Sequence, residues 1–101
     1  MPTYLFLCNL TEQGIRGIKQ GAQSRQAGRD AIERLGGRVI GNYGTQGRYD
    51  VVWLADFPDE AAASAFALQA GLRGNLRTET LRAFTNEEMD AIIAKLPDPG
   101  R

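Results

Sequence analysis

The chain has 101 residues, enough for one domain, and it contains no histidine and one cysteine. These counts exclude a histidine-ligated zinc or haem site, a histidine-based catalytic triad and an intrachain disulfide. We predict no metal site, and only a carboxylate site for a hard cation stays open. Twelve basic and twelve acidic residues cancel, which argues against nucleic acid as a partner. Because the sequence has neither a membrane-length apolar run nor a basic N-terminal leader, we expect no membrane partner and a cytoplasmic location.

The N-terminal third predicts a strand followed by helical structure. Residues 3–9 carry large apolar side chains on both alternating faces, which is typical of a strand buried on both sides. Thr11 is a suitable N-cap for a short helix over about 12–19. A longer helix over about 20–35 follows, and the glycine pair 36–37 supplies a C-cap signal.

A hairpin is predicted at the centre of the chain. Strands over 38–45 and 49–57 flank a turn in which Gly47 is expected either to adopt a positive φ or to allow a close backbone approach. Gly41 and Gly44 interrupt the first of these strands and predict a bulge or a close approach of another chain segment. The second strand is apolar on both faces. One face can pack on the domain's own helices, whereas the other needs a cover that so small a domain lacks, which predicts a second copy of the chain.

The C-terminal part predicts a helix, a strand and one more helix. An alanine-rich helix opens near residues 58–60. The strand predicted over 76–84 carries more charge than the others, as expected of an edge strand or of one that lines a polar cavity. Thr85 and Glu88 have the spacing of a capping box and predict a last helix that ends near residue 95.

The predicted order of elements is strand, helix, strand, strand, helix, strand and an added C-terminal helix. This order is that of the α+β, ferredoxin-like βαββαβ fold, with a four-stranded antiparallel sheet and the two main helices on one face. The domain is predicted to cover residues 1–96, and residues 97–101 are predicted to form a flexible tail. Two such sheets stacked through their free faces give a dimeric α+β barrel.

The segment Gly47-Arg48-Tyr49-Asp50 resembles the motif that names the GYD domain family. Further segments resemble the family in the same order along the chain: Thr11–Ile15, Leu35–Gly37, Tyr49–Val52, Gly74–Thr78 and Thr80–Phe84. The resemblance covers about residues 1–95. It implies a small bacterial or archaeal protein with the fold of the dimeric α+β barrels. Since the family has no agreed biochemical activity, the resemblance leaves the function open.

Two pairs of polar residues are candidate ligand-binding groups. Tyr49 and Asp50 lie where a turn becomes a strand. In a functional role, they bind or transfer a proton at the rim of a pocket. In a structural role, they stabilise the hairpin. Arg77 and Thr78 lie on the fourth strand. Arg77 can clamp an anion such as a carboxylate or phosphate, or the pair belongs to a solvated edge or to salt bridges across a dimer.

A third candidate group consists of Asn42 and Trp53, which together with Tyr43 and Tyr4 can line a cleft between sheet and helix. Dimeric α+β barrel oxygenases combine Asn, Trp and His at such a place, but this chain has no His. Alternatively, Trp53 belongs to the core or to a dimer interface. Cys8, in the buried first strand, is expected to act as a small hydrophobe.

The leading hypothesis is a homodimer that binds a small molecule or a partner protein. The alternative is a cofactor-free barrel enzyme of oxygenase or isomerase type that uses Tyr49 and Asp50, with Arg77 as a further candidate. A third possibility is a module that only builds larger assemblies. No glycine-rich segment has the spacing of a phosphate loop or dinucleotide fingerprint, and we predict no cofactor.

Overall fold

The computed structural model describes residues 1–99 of the chain. Its strands and α-helices are β1 (Thr3–Leu10), α1 (Glu12–Arg16), α2 (Gly21–Arg34), β2 (Arg38–Gly44), β3 (Val51–Asp56), α3 (Glu60–Leu72), β4 (Leu76–Ala83) and α4 (Asn86–Ile93). No helix within these residues is both long and apolar enough to cross a membrane. The predicted tail over 97–101 lies partly outside the described residues.

The four strands form one sheet in the order β2-β3-β1-β4, and every neighbouring pair is antiparallel. The predicted ferredoxin-like α+β fold is therefore confirmed. The two strands that are apolar on both faces, β1 and β3, are the central ones. The strand predicted to be an edge, β4, lies at one edge, and β2 lies at the other.

The first helical segment differs from its prediction. A single short helix was expected over 12–19, whereas α1 ends at Arg16 and a separate 3-10 turn follows over Ile18–Gln20. Gly17 lies at this break and donates its backbone N–H to the carbonyl of Gln13. The low helix propensity of glycine explains why the helix stops there.

The central hairpin has the predicted irregularities. Gly47 has a φ of +96°, in the left-handed region that favours glycine. The register of β2 against β3 shifts between Val39 and Gly41, which is the expected bulge. The strand β3 begins two residues later than predicted, because the backbone N–H of Thr45 bonds to the carbonyl of Asp50 and closes the loop there.

The core lies between one face of the sheet and the helices α2 and α3. Its side chains are mostly aromatic and small: Tyr4, Phe6, Cys8, Ala31, Ile32, Trp53, Ala55, Phe57, Ala63 and Phe66. Phe66 of α3 meets Phe6 edge to face, with ring centroids 4.9 Å apart. We call this side of the sheet the helix face.

The opposite side of the sheet, which we call the outer face, does not contribute to this core. It carries Leu5 and Leu7 from β1 and Val52 and Leu54 from β3, as the pairing of Leu5 with Leu54 and of Leu7 with Val52 shows. All four side chains are only half-buried. The sheet therefore has apolar side chains on both faces, and within residues 1–99 only the helix face forms a buried core.

The last helix, α4, adds little to the packing. None of its residues is buried, and its apolar side chains Met89, Ile92 and Ile93 are 40%, 39% and 52% exposed. The described chain is also elongated, with a radius of gyration of 16.0 Å and extents of 58 × 30 × 19 Å. A compact domain of about 100 residues has a radius of gyration of about 13 Å.

Candidate functional site

The six candidate residues fall into two groups. Asn42, Asp50 and Trp53 line a cavity of about 270 Å³ on the helix face. Tyr49 and Arg77 line a more open depression on the outer face, beside Leu7, Asn9, Arg48 and Glu79. Thr78 also borders this depression, although its pairing with Cys8 places it on the helix face of β4. Neighbouring residues Tyr49 and Asp50 are thus separated.

Asp50 holds the hairpin to the first strand. Its carboxylate accepts the backbone N–H of Leu10 at 2.9 Å. Its own backbone N–H donates to the carbonyl of Cys8, also at 2.9 Å. Both contacts join the start of β3 to the end of β1. This is the structural role that short polar side chains commonly have at turns.

Trp53 and Asn42 form part of the wall between the cavity and the sheet. Trp53 is 3% exposed, and its ring meets that of Phe66 edge to face at 6.1 Å. The guanidinium of Arg29 lies 5.8 Å from the centroid of the indole. The Asn42 side-chain amide donates to the carbonyl of Val52 at 3.1 Å. Of the two tyrosines predicted to line the same cleft, Tyr43 lines the cavity, whereas Tyr4 packs against Phe57 in the core.

Tyr49 interacts with the acidic side chain across the outer depression. Its hydroxyl donates to a carboxylate oxygen of Glu79 at 2.5 Å. This hydrogen bond, with some burial and the negative charge of Glu79, raises the pKa of Tyr49 above its ordinary value. The phenol therefore stays protonated at neutral pH and can donate a hydrogen bond, but it is a poor base.

Arg77 and Thr78 lie on the edge strand β4, opposite Asn9 and Cys8 of β1. Successive residues of a strand point to opposite faces, so the two side chains do not converge on one atom of a ligand. Arg77 is exposed and takes part in none of the ion pairs found among residues 1–99.

Cys8 is fully buried in β1. Desolvation raises the pKa of its thiol to about 11. The thiol therefore remains neutral at physiological pH and lacks the thiolate character that a nucleophile or metal ligand requires.

Several residues that border the cavity were missed in the sequence. They are two arginines, Arg25 and Arg73, and a row of small residues on the helical side, Gly14, Gly17, Gly21, Ser24 and Gly28. The sequence signal for the small residues is their spacing of three or four positions, which places them on one side of helical structure.

Comparison with known proteins gives consistent results. The family model described as GYD domain matches residues 4–93. A Thermus thermophilus protein named "Glutamine synthetase and cystathionine beta-lyase binding protein" is 31% identical over 85 residues, which cover 83% of this chain and 90% of that protein. The crystal structure of TTHA0845 from Thermus thermophilus superimposes with a TM-score of 0.53 at 30% identity, and the match covers 84% of this chain and 95% of that one. This chain belongs to the GYD domain family.

Proposed function

We propose that this chain is a cytoplasmic homodimer that binds a partner protein. The observation that carries the proposal is that one chain presents two apolar surfaces without covering them, the outer face of the sheet and the apolar side of α4. Apolar surface left in water lowers stability by about 25 cal/mol for each Å². A second copy of the chain covers both surfaces.

The short last helix supports an intermolecular contact. It has eight residues and a complete capping box, in which Thr85 and Glu88 exchange hydrogen bonds. Isolated helices of fewer than about 12 residues are marginal in water, even when well capped. Within the described chain, α4 is joined to β4 by the ion pair of Glu88 with Arg82 at 3.3 Å. Its stability must therefore come from packing on another molecule.

The size of the surfaces also suits a dimer. A four-stranded sheet of this length offers a face of about 500 Å² in flat projection, from a strand spacing of about 4.8 Å and a rise of about 3.4 Å per residue. A standard protein interface buries about 800 Å² on each partner. The sheet of one chain falls short of this area, and the α4 helix of the same chain supplies the remainder. Because both surfaces belong to the same chain, a two-fold axis pairs them reciprocally.

Protein binding is supported by the relative whose name describes a binding protein for glutamine synthetase and cystathionine β-lyase. We propose that the homodimer likewise binds a metabolic enzyme. The cofactor-free enzyme alternative is less well supported. Its two proposed catalytic residues, Tyr49 and Asp50, line depressions on opposite faces.

The self-association is tested by mass measurement in solution with light scattering across a concentration series. The unmodified chain is expected to be a dimer, and Leu54→Glu, at the centre of the outer face, is expected to be a monomer. Leu72→Glu is the matched control, because Leu72 is 87% exposed on α3. A monomeric unmodified chain, or a dimer that tolerates Leu54→Glu as well as Leu72→Glu, contradicts the proposal.

The partner binding is tested separately by titrating the chain with purified glutamine synthetase and with cystathionine β-lyase from the organism that encodes it. Saturable binding of either enzyme supports the proposal, and serum albumin is the control. If the chain binds neither enzyme, these two enzymes are excluded as its partners. The proposed dimer is tested by its own measurement.

A further inference from the structure

The cavity on the helix face is formed by small residues. Gly17 and Gly21, at the break between α1 and α2, border it and leave space on its helical side. Its volume of about 270 Å³ exceeds that of an engineered apolar cavity of about 150 Å³ that binds benzene. The space is thus large enough for one aromatic ring and a short chain.

The inner walls of this cavity are apolar and aromatic. Trp53 and Phe66 border it from the sheet and from α3, with Val51 and Leu76 beside them. An apolar wall of this kind favours an apolar or aromatic body of a ligand, because small-molecule sites are mostly apolar with a few polar groups that fix orientation.

The rim carries an excess of positive charge. Arg25 and Arg73 both border the cavity and are exposed at its mouth. Neither takes part in an ion pair within residues 1–99. The acidic side chain at this cavity, Asp50, already accepts the backbone N–H of Leu10. The cavity is thus bordered by two arginines and by one carboxylate that is already hydrogen-bonded, and guanidinium groups pair well with carboxylates.

From these observations we propose that the cavity binds a small organic anion, a carboxylate attached to an aromatic or other apolar body. The body fills the space against Trp53, and the carboxylate lies at the mouth beside Arg25 and Arg73. This site is independent of the proposed dimer contact, which uses the outer face and α4. The two proposals therefore fail separately.

The single tryptophan of the chain, Trp53, provides the measurement. We expect 3-phenylpropionate to change the Trp53 fluorescence with a dissociation constant of about 1 mM, as is typical for a ligand of this size. The neutral analogue 3-phenylpropan-1-ol is expected to bind at least about tenfold more weakly. Propionate, which has the charge but no ring, is expected to cause no saturable change. Calorimetry with the same three compounds verifies the affinities.

Variants identify the site. The double variant Arg25→Gln, Arg73→Gln is expected to weaken 3-phenylpropionate about tenfold and to leave the alcohol unchanged. Arg34→Gln, on the exposed side of α2, is the matched control. The variant Ala70→Leu, which places a larger side chain at the cavity wall, is expected to weaken acid and alcohol alike. Any of three results overturns the proposal. They are equal affinity for the acid and the alcohol, no saturable change with the acid, and an affinity for the acid that is unchanged in the double variant.

Discussion

At the scale of single residues, Gly28 determines how closely α2 approaches the sheet. A Cβ atom at this position would lie 2.7 Å from Cζ2 of Trp53, closer than such atoms approach one another in proteins. The glycine thus allows the indole to pack under the helix. Trp53 in turn forms a wall of the cavity, so this one contact positions both core and candidate site.

We expect Gly28→Ala to lower the free energy of unfolding by about 1 kcal/mol. Alanine normally stabilises a helix interior by about 1 kcal/mol relative to glycine, but overpacking at Trp53 costs about 1–3 kcal/mol. The control is Gly71→Ala in α3, where no atom lies within 4 Å of the added Cβ, and it should stabilise slightly. Urea unfolding followed by Trp53 fluorescence gives both values. A stabilising effect at both positions would show that the indole moves aside without penalty.

Asp56 is the buried charged side chain of the core, at 8% exposure. It accepts hydrogen bonds from the Thr3 hydroxyl at 2.6 Å and from the Arg38 guanidinium at 2.8 Å. Burial by itself would raise the pKa of Asp56, but the hydrogen bonds from Arg38 and Thr3 outweigh it, and the pKa lies below its ordinary value. Unfolding returns the carboxyl to an ordinary pKa of about 3.9.

The lowered pKa of Asp56 predicts that the free energy of unfolding depends on pH through this one side chain. A depressed folded-state pKa contributes stability that is complete above the unfolded value and is lost as the pH falls through the folded value. Asp56→Asn is therefore expected to cost about 1 kcal/mol at neutral pH, a modest figure because Arg38 is mostly exposed. The difference from the unmodified chain should shrink below about pH 4. Urea unfolding at several pH values measures it, with Asp98→Asn as the control. A difference that stays constant down to the acid range would assign the effect to packing alone.

At the scale of elements, apolar residues on both faces predicted the two central strands, and cap residues predicted the starts of α1 and α4. The capping box of Thr85 and Glu88 is present as expected. The break at Gly17 was not predictable, because glycine at this spacing is compatible with a weak continuous helix. Tyr49 was predicted to be the first residue of the second hairpin strand. The strand begins only at Val51, and the Tyr49 hydroxyl bonds to Glu79.

The capping box of α4 allows a test of whether this helix is formed by association. The Thr85 backbone N–H, together with Arg82, lowers the pKa of Glu88, so the cap is intact at neutral pH. Thr85→Ala removes one capping hydrogen bond at a cost of about 1 kcal/mol, or a factor of roughly five in an equilibrium constant.

We expect the loss of this capping hydrogen bond to raise the dimer dissociation constant roughly fivefold for each of the two helices. The free energy of unfolding of the sheet domain is expected to stay unchanged. Analytical ultracentrifugation measures the former and urea unfolding the latter. Thr80→Ala on β4 is the control, since Thr80 is exposed and lies outside α4. A dimer that dissociates no more readily than the Thr80→Ala control would place α4 outside the interface.

At the scale of the whole molecule, the element order predicted the ferredoxin-like topology, because few connections satisfy this alternation of strands and helices. The cavity could not be predicted in the same way. It arises where glycines from two helical segments meet Trp53 and Phe66, and these residues are far apart in sequence. Two arginines from different helices complete its rim, and no local pattern links Arg25 to Arg73.

The strand order also has a consequence for how this molecule avoids uncontrolled association. Open sheet edges can recruit further strands and grow into fibres. Here one border strand carries arginine and glutamate side chains along much of its length, and the other is disrupted by a bulge and by Gly41 and Gly44. Sideways growth is discouraged at both borders, so the association that we propose through the broad apolar surface would end at a closed particle of defined size.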